Sequence, residues 1–241
     1  MSTVMHFHIA SPRSIVLATA ALALALPAHA ADLAVKAPAP PPAAYSWAGF
    51  YAGVNFGAAT TSEQANTPFG SSSTDPSGVI GGGQIGYNFQ LAPAWLLGIE
   101  GDIDGTSVKG NTNIVSSSPA GIGTALSIAS NHNWYATLAG RAGYVAGPWL
   151  IYAKAGGAWM NADYQIQVNS GAGGAASISS TRSGWTTGAG VEYQIMPKWT
   201  FKVEYDYLGF GTSNFNFTPV GIGTTIKTDV NEIKIGANYH F

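Results

Sequence analysis

The sequence predicts an all-β chain: an eight-stranded antiparallel transmembrane β-barrel preceded by a signal peptide. Three observations predict it. Trp47, Trp95, Trp149 and Trp199 recur about every fifty residues, and each opens a run of alternating polarity. The chain ends on another such run, with Asn231, Ile233, Ile235, Ala237, Tyr239 and Phe241 on one parity and Glu232, Lys234, Gly236, Asn238 and His240 on the other. Period two is the signature of a strand, whose successive side chains point to opposite faces. Charged residues make up only 9% of the chain, against roughly 25% in ordinary soluble domains. After residue 30 no apolar run reaches the length of a membrane helix. A closed barrel pairs every backbone group with a neighbour, so strands that alternate in polarity can face lipid.

The elements follow in order. Arg13, an apolar run over 15–26 and Ala28-His29-Ala30 form a charged start, a short core and a small-x-small cleavage site. Residues 1–30 are therefore expected to be a secretory signal peptide. Residues 31–46, with Pro38, Pro40, Pro41 and Pro42 among alanines, read as an extended linker. The remainder, 47–241, is the expected barrel. From residue 31 onward there are nine basic and twelve acidic residues, a charge of about −3 with no basic stripe, which argues against a nucleic-acid partner. The absence of cysteine excludes disulfides, thiolate chemistry and cysteine-based zinc sites.

Eight strands are expected over 48–58, 79–89, 95–106, 134–145, 149–163, 184–195, 199–208 and 228–241. Three connections, 90–94, 146–148 and 196–198, are short, and each holds one proline: Pro93, Pro148 or Pro197. Proline cannot donate a ladder hydrogen bond and so marks a turn. The other four, 59–78, 107–133, 164–183 and 209–227, are long and rich in Gly, Ser, Thr and Asn. Short turns on one rim and long loops on the other are the asymmetry of outer-membrane barrels, and an even strand number puts both mature termini on the periplasmic side.

Parity sorts the side chains. Leu97, Ile99 and Ile103 oppose Glu100, Asp102 and Asp104. Leu138, Ala142 and Tyr144 oppose Arg141, and Trp149, Ile151 and Trp159 oppose Lys154. Ala189, Val191 and Tyr193 oppose Glu192, and Phe201, Val203 and Tyr205 oppose Lys202, Glu204 and Asp206. With Glu232 and Lys234, these charges are expected to face the lumen, because an Arg or Lys on the lipid face costs roughly 2–4 kcal/mol at the midplane. Seven acids then meet four bases inside a barrel just wide enough for side chains. That favours an ion-pair network over a cation-preferring pore. Trp47, Trp95, Trp149 and Trp199 begin the upward strands, and Phe89, Tyr144 and Tyr193 end downward ones, so all seven are expected at one membrane rim.

Trp47-Ala-Gly-Phe-Tyr-Ala-Gly-Val-Asn-Phe-Gly57 after an Ala/Pro linker, with a terminal aromatic-x-Phe, resembles the OmpA-like outer-membrane barrels of alphaproteobacteria, the small surface-antigen porin family. The resemblance covers essentially 47–241. It implies an integral outer-membrane protein of a Gram-negative cell, surrounded by outer-membrane lipid, and does not imply an enzyme. It implies that Tyr239 and Phe241 form the signal read by the outer-membrane assembly machinery. With nothing after Phe241, the peptidoglycan-binding domain of longer relatives is expected to be absent.

Other chemistry is weaker. Gly81-Gly-Gly-Gln-Ile-Gly86 satisfies G-x-G-x-x-G, but a phosphate loop must open a helix, and here the glycines sit inside an alternating strand. Asp102-Ile-Asp104-Gly105 lacks the remaining ligands of a calcium loop. His132 in a loop with Ser127 and Ser130 lacks a third catalytic member, and His240 is expected at the lumen or rim beside Phe241. No catalytic, metal or cofactor residues are therefore expected. The expected role is structural and surface-exposed, with three alternatives: a small-solute porin, a loop-mediated adhesin for an unknown extracellular ligand, and a soluble exported calyx.

Overall fold

The structure is a computed structural model that describes residues 46–68, 70–117, 123–169, 173–217 and 222–241. The expected signal peptide and all but the last residue of the expected linker lie outside the described residues. Among the described residues there are ten strands: β1 (Gly49–Thr67), β2 (Gly70–Thr74), β3 (Ser77–Ala92), β4 (Trp95–Thr106), β5 (Lys109–Ser117), β6 (Gly123–Ala146), β7 (Trp149–Val168), β8 (Gly174–Met196), β9 (Trp199–Phe217) and β10 (Ile222–His240). Every pairing is antiparallel. The lower wall runs β1-β3-β4-β6-β7-β8-β9-β10, and β10 pairs back onto β1 from Tyr51↔His240 to Asn66↔Thr225. This is the predicted eight-stranded ring.

The strands are longer than expected, and the four long connections are mostly wall. β1 continues to Thr67 and β6 begins at Gly123. The physical reason is visible in β1, where Thr61, Glu63 and Ala65 are buried while Thr60, Gln64 and Asn66 are exposed. Beyond the bilayer the outer face has no need of apolar residues, so the alternation persists with small polar side chains outside. β2 and β5 are upper continuations of β3 and β4, set off by Asp75-Pro76 and Ser107-Val108. The three short turns lie where their prolines predict, and Gly147 takes the left-handed conformation (φ 61°) that the 146–148 turn requires.

Outward side chains form an apolar band: Val54, Phe56, Ile85, Ile99, Ile103, Leu138, Ile151, Val203 and Ile235 are all exposed. The interior is layered. At the short-turn end Trp47, Leu96, Leu150 and Tyr152 pack together. The charged belt lies above them. Above that sits a larger apolar layer including Ile80, Tyr135, Met160, Tyr164, Leu208 and Phe215. The glycine-rich run 81–86 is mid-strand in β3, as its alternation predicts. One of its inward members is required by close packing, since a Cβ on Gly86 would fall on the Tyr51 hydroxyl.

Candidate functional site: the charged lumen

The strand registers deliver the charges inward at similar heights. Arg141 on β6 pairs across to Lys154 on β7, Glu192 on β8 to Lys202 on β9, and Glu204 and Asp206 on β9 to Lys234 and Glu232 on β10. Glu100, Asp102 and Asp104 come from β4, which pairs with β6 on the side away from β7. All eleven predicted lumen charges are buried, none more than 5% exposed.

Their geometry is a single connected network. The Arg141 guanidinium lies 3.3 Å from Glu100 and 3.4 Å from Glu192. It donates to Asn88 Oδ1 at 2.9 Å and lies 4.5 Å above the Tyr51 ring. Lys154 Nζ reaches Glu204 at 2.8 Å and Asp206 at 3.1 Å. Lys202 lies 3.3 Å from both Glu100 and Glu204. Lys234 bridges Asp206 at 2.9 Å to Asp104 and Glu232, each at 3.6 Å. Burial of ions costs several kcal/mol each and is offset only when the remaining lone pairs find partners. Neutral side chains supply many of those partners. The Tyr51 hydroxyl donates to Glu100 at 2.7 Å and the Tyr152 hydroxyl to Glu204 at 2.6 Å. Glu192 accepts from Thr200 and, at 2.8 Å, from Asn238, whose Oδ1 accepts from Gln84. Charge patterning alone did not single out these tyrosines and amides. Extending the same inward parity along β1, β3 and β10 would have found Asn55, Gln84 and Asn238.

Carboxylate oxygens of Glu100, Asp102 and Glu204 converge within 4.8 Å of one another. The ammonium groups of Lys154 and Lys202 sit among them, so the place of a cation is filled by the protein's own side chains. Asp102 and Asp104 lie on β4, not in a loop.

Of the expected rim aromatics, Trp95, Trp149, Trp199, Phe89, Tyr144 and Tyr193 are exposed on the outer face, as are Phe241 and the partly exposed Tyr239. Six of these form three cross-strand pairs: Trp95–Tyr144 with ring centroids 5.3 Å apart, Trp149–Tyr193 at 4.5 Å and Trp199–Tyr239 at 5.2 Å. Trp47 departs from the expectation. It is fully buried, its carbonyl accepts from Asn88 Nδ2 at 2.9 Å and its ring meets His240 edge-on at 5.8 Å. The cause is parity. Trp47 shares the odd positions of Tyr51 and Asn55, which point inward, so it enters the lumen instead of the lipid rim.

His132 is a second correction. It lies on β6 rather than in a loop, buried in the upper layer. Its Nε2 is 3.1 Å from Glu63 Oε1 and its Nδ1 is 3.0 Å from the Tyr135 hydroxyl. Ser130 donates to Glu63 Oε2 at 2.7 Å, and exposed Ser127 donates to Asn113. Both imidazole nitrogens are thus engaged by groups other than a serine. The nucleophile–base hydrogen bond of a hydrolase is not formed by this arrangement.

A ring of eight antiparallel strands, with an apolar outer band, aromatic rim and charged interior, defines an integral outer-membrane β-barrel. Residues 17–241 match the family model described as outer membrane protein beta-barrel domain. The chain is 32% identical to the 31 kDa outer-membrane immunogenic protein of Brucella melitensis, over 95% of this chain and 100% of that one. It is 30% identical to the 25 kDa outer-membrane immunogenic protein of Brucella abortus, over 95% and 98%. Among solved structures it is similar to Neisserial surface protein A, with TM-score 0.39 and 16% identity over 80% of this chain and 97% of that one. The chain belongs to the outer-membrane β-barrel protein family, and it is an outer-membrane protein.

Proposed function

We propose that the protein is a closed, structural barrel of the outer membrane that presents its upper strands and loops at the cell surface, without enzymatic activity. One observation carries this reading: the charge network is buried between two apolar layers, and the lower one is sealed by Trp47. An aqueous pathway needs space beside its charges, and close-packed ion pairs leave none. In this reading the signal peptide of residues 1–30 directs export and is removed. Residues 31–46 are a periplasmic linker, and both mature termini are periplasmic. Tyr239 and Phe241 are the handle for the assembly machinery, outer-membrane lipid surrounds the apolar band, and any extracellular ligand meets the loops. The test is single-channel recording of the refolded protein in planar bilayers. Absence of discrete conductance is expected. Reproducible cation-selective openings would replace this reading with a small-solute porin, fed by the surplus of lumen acids over bases.

A further inference from the structure

The wall is not uniformly laddered. The β1–β3 pairing ends at Thr60↔Ser77, the β3–β4 pairing at Ile80↔Thr106 and the β4–β6 pairing at Gly105↔Trp134. Above these levels β2 pairs only with β1, and β5 only with β6. Among the described residues no ladder joins β2 to β5, so one vertical seam runs through the extracellular wall. Beneath it, Glu63 of β1 reaches to β6. It holds Ser130 at 2.7 Å and His132 at 3.1 Å. The Tyr135 hydroxyl joins His132 Nδ1 at 3.0 Å and lies 3.4 Å from Thr61 Oγ1, again on β1. These side-chain bonds run between β1 and β6, the strands to which β2 and β5 are laddered on either side of the seam.

We propose that this Glu63–His132–Tyr135 bridge is an acid-sensitive latch, and that protonating His132 lets the β2/β5 seam open at the extracellular mouth. The cluster lies above the lipid band, because beyond Phe56 the outward residues of β1 include Thr60, Ser62 and Gln64. The charged and titratable groups facing it are Glu63 from β1, Tyr135 from β6, Tyr164 from β7, Arg182 from β8 and Glu232 from β10. Burial, helped by the Arg182 guanidinium, pushes the His132 imidazole down to about 4. A histidine depressed in the closed state supports closure above its ordinary value and loses that support as pH falls toward the depressed one. Burial holds Glu63 above its ordinary value, and this works in the opposite direction. Once both groups are protonated, the cluster holds His132 and Arg182 as two cations without the Glu63 anion, which burial cannot sustain.

The chain has no cysteine, so spin labels can be placed freely. Exposed Ser73 on β2 and Asn111 on β5 flank the seam, while Gln64 and Ser73 face each other across the intact β1–β2 ladder. Ser73→Cys with Asn111→Cys should show the inter-label distance lengthening by about one strand spacing, roughly 5 Å, between neutral pH and about pH 4. Gln64→Cys with Ser73→Cys should not change, and His132→Gln should abolish the response at the seam. An unchanged seam distance in the otherwise native chain overturns the latch without need of any further variant. So does equal lengthening of the control pair, which would mean that the whole mouth melts. Retention of the response in His132→Gln also overturns it.

Discussion

Arg141 shows most plainly what the lumen demands of a single residue. It is the only guanidinium among the network's four bases, and it satisfies Glu100, Glu192 and Asn88 at once while lying over Tyr51. Arg141→Ala leaves two buried carboxylates short of a cation. The expected loss of unfolding stability in detergent or lipid exceeds about 1 kcal/mol, the low end for a buried group left unpaired. Denaturant titration followed by heat-modifiable gel migration measures it, and an unchanged midpoint would mean that water solvates the acids. On the outer face the logic reverses. Val203 is exposed and pairs with Val191 and Ile235 inside the apolar band. Val203→Arg should cost roughly 2–4 kcal/mol at mid-bilayer, whereas Val203→Leu should be nearly neutral. Equal tolerance of the two would show that this face does not meet hydrocarbon. The charged positions were legible because each strand needs only its parity to declare which face is wet. His132 was not, because Asn133 is an extra residue on β6 between the His132↔Ala162 and Trp134↔Asn161 pairs. That bulge flips the alternation, so counting back from Arg141 sends His132 to the wrong face.

At the scale of elements, existence and turns were readable and upper boundaries were not. Pro93, Pro148 and Pro197 stop strands by chemistry that acts locally, so the short rim fell where expected. The upper ends carry Ser, Thr, Asn and Gly on a solvated face, a composition shared by loops and by extramembrane strands. Only pairing partners far away in sequence distinguish them. A similar bulge within β9, where Lys227 and Asp229 face Thr212 and Gly209, uses Gly211 with φ 61°. Trp47 belongs to this scale as well, because it tethers the segment leading into β1 to the lower mouth. Trp47→Ala removes the largest side chain of the lower apolar layer. Large-to-small aromatic changes in cores cost about 3–5 kcal/mol, and a position at the end of the fold belongs near the lower figure. The thermal midpoint should fall, and a label at residue 46 should gain mobility. If Trp47→Ala instead matched Trp95→Ala, a rim residue, in both readouts, the plug would have no standing.

For the whole molecule, the question is whether the lumen behaves as a protein interior or as water. The two cases differ in their response to salt. Mobile ions shorten the reach of charges that they can approach, with a screening length of about 10 Å at 0.1 M and about 3 Å at 1 M. They cannot enter a belt whose eleven charges are no more than 5% exposed and which is capped above and below by apolar side chains. The network's contribution to stability should therefore be insensitive to salt. Raising sodium chloride from about 0.1 M to about 1 M should leave unchanged the stability difference between the native chain and Arg141→Ala. Measuring that difference, instead of a single midpoint, cancels salt effects on the detergent, the exposed Lys227–Asp229 pair and the unfolded state. A difference that shrinks at high salt would mean ions reach Glu100 and Glu192. The lumen would then be hydrated along its length, and the carboxylate surplus would line a pathway for cations.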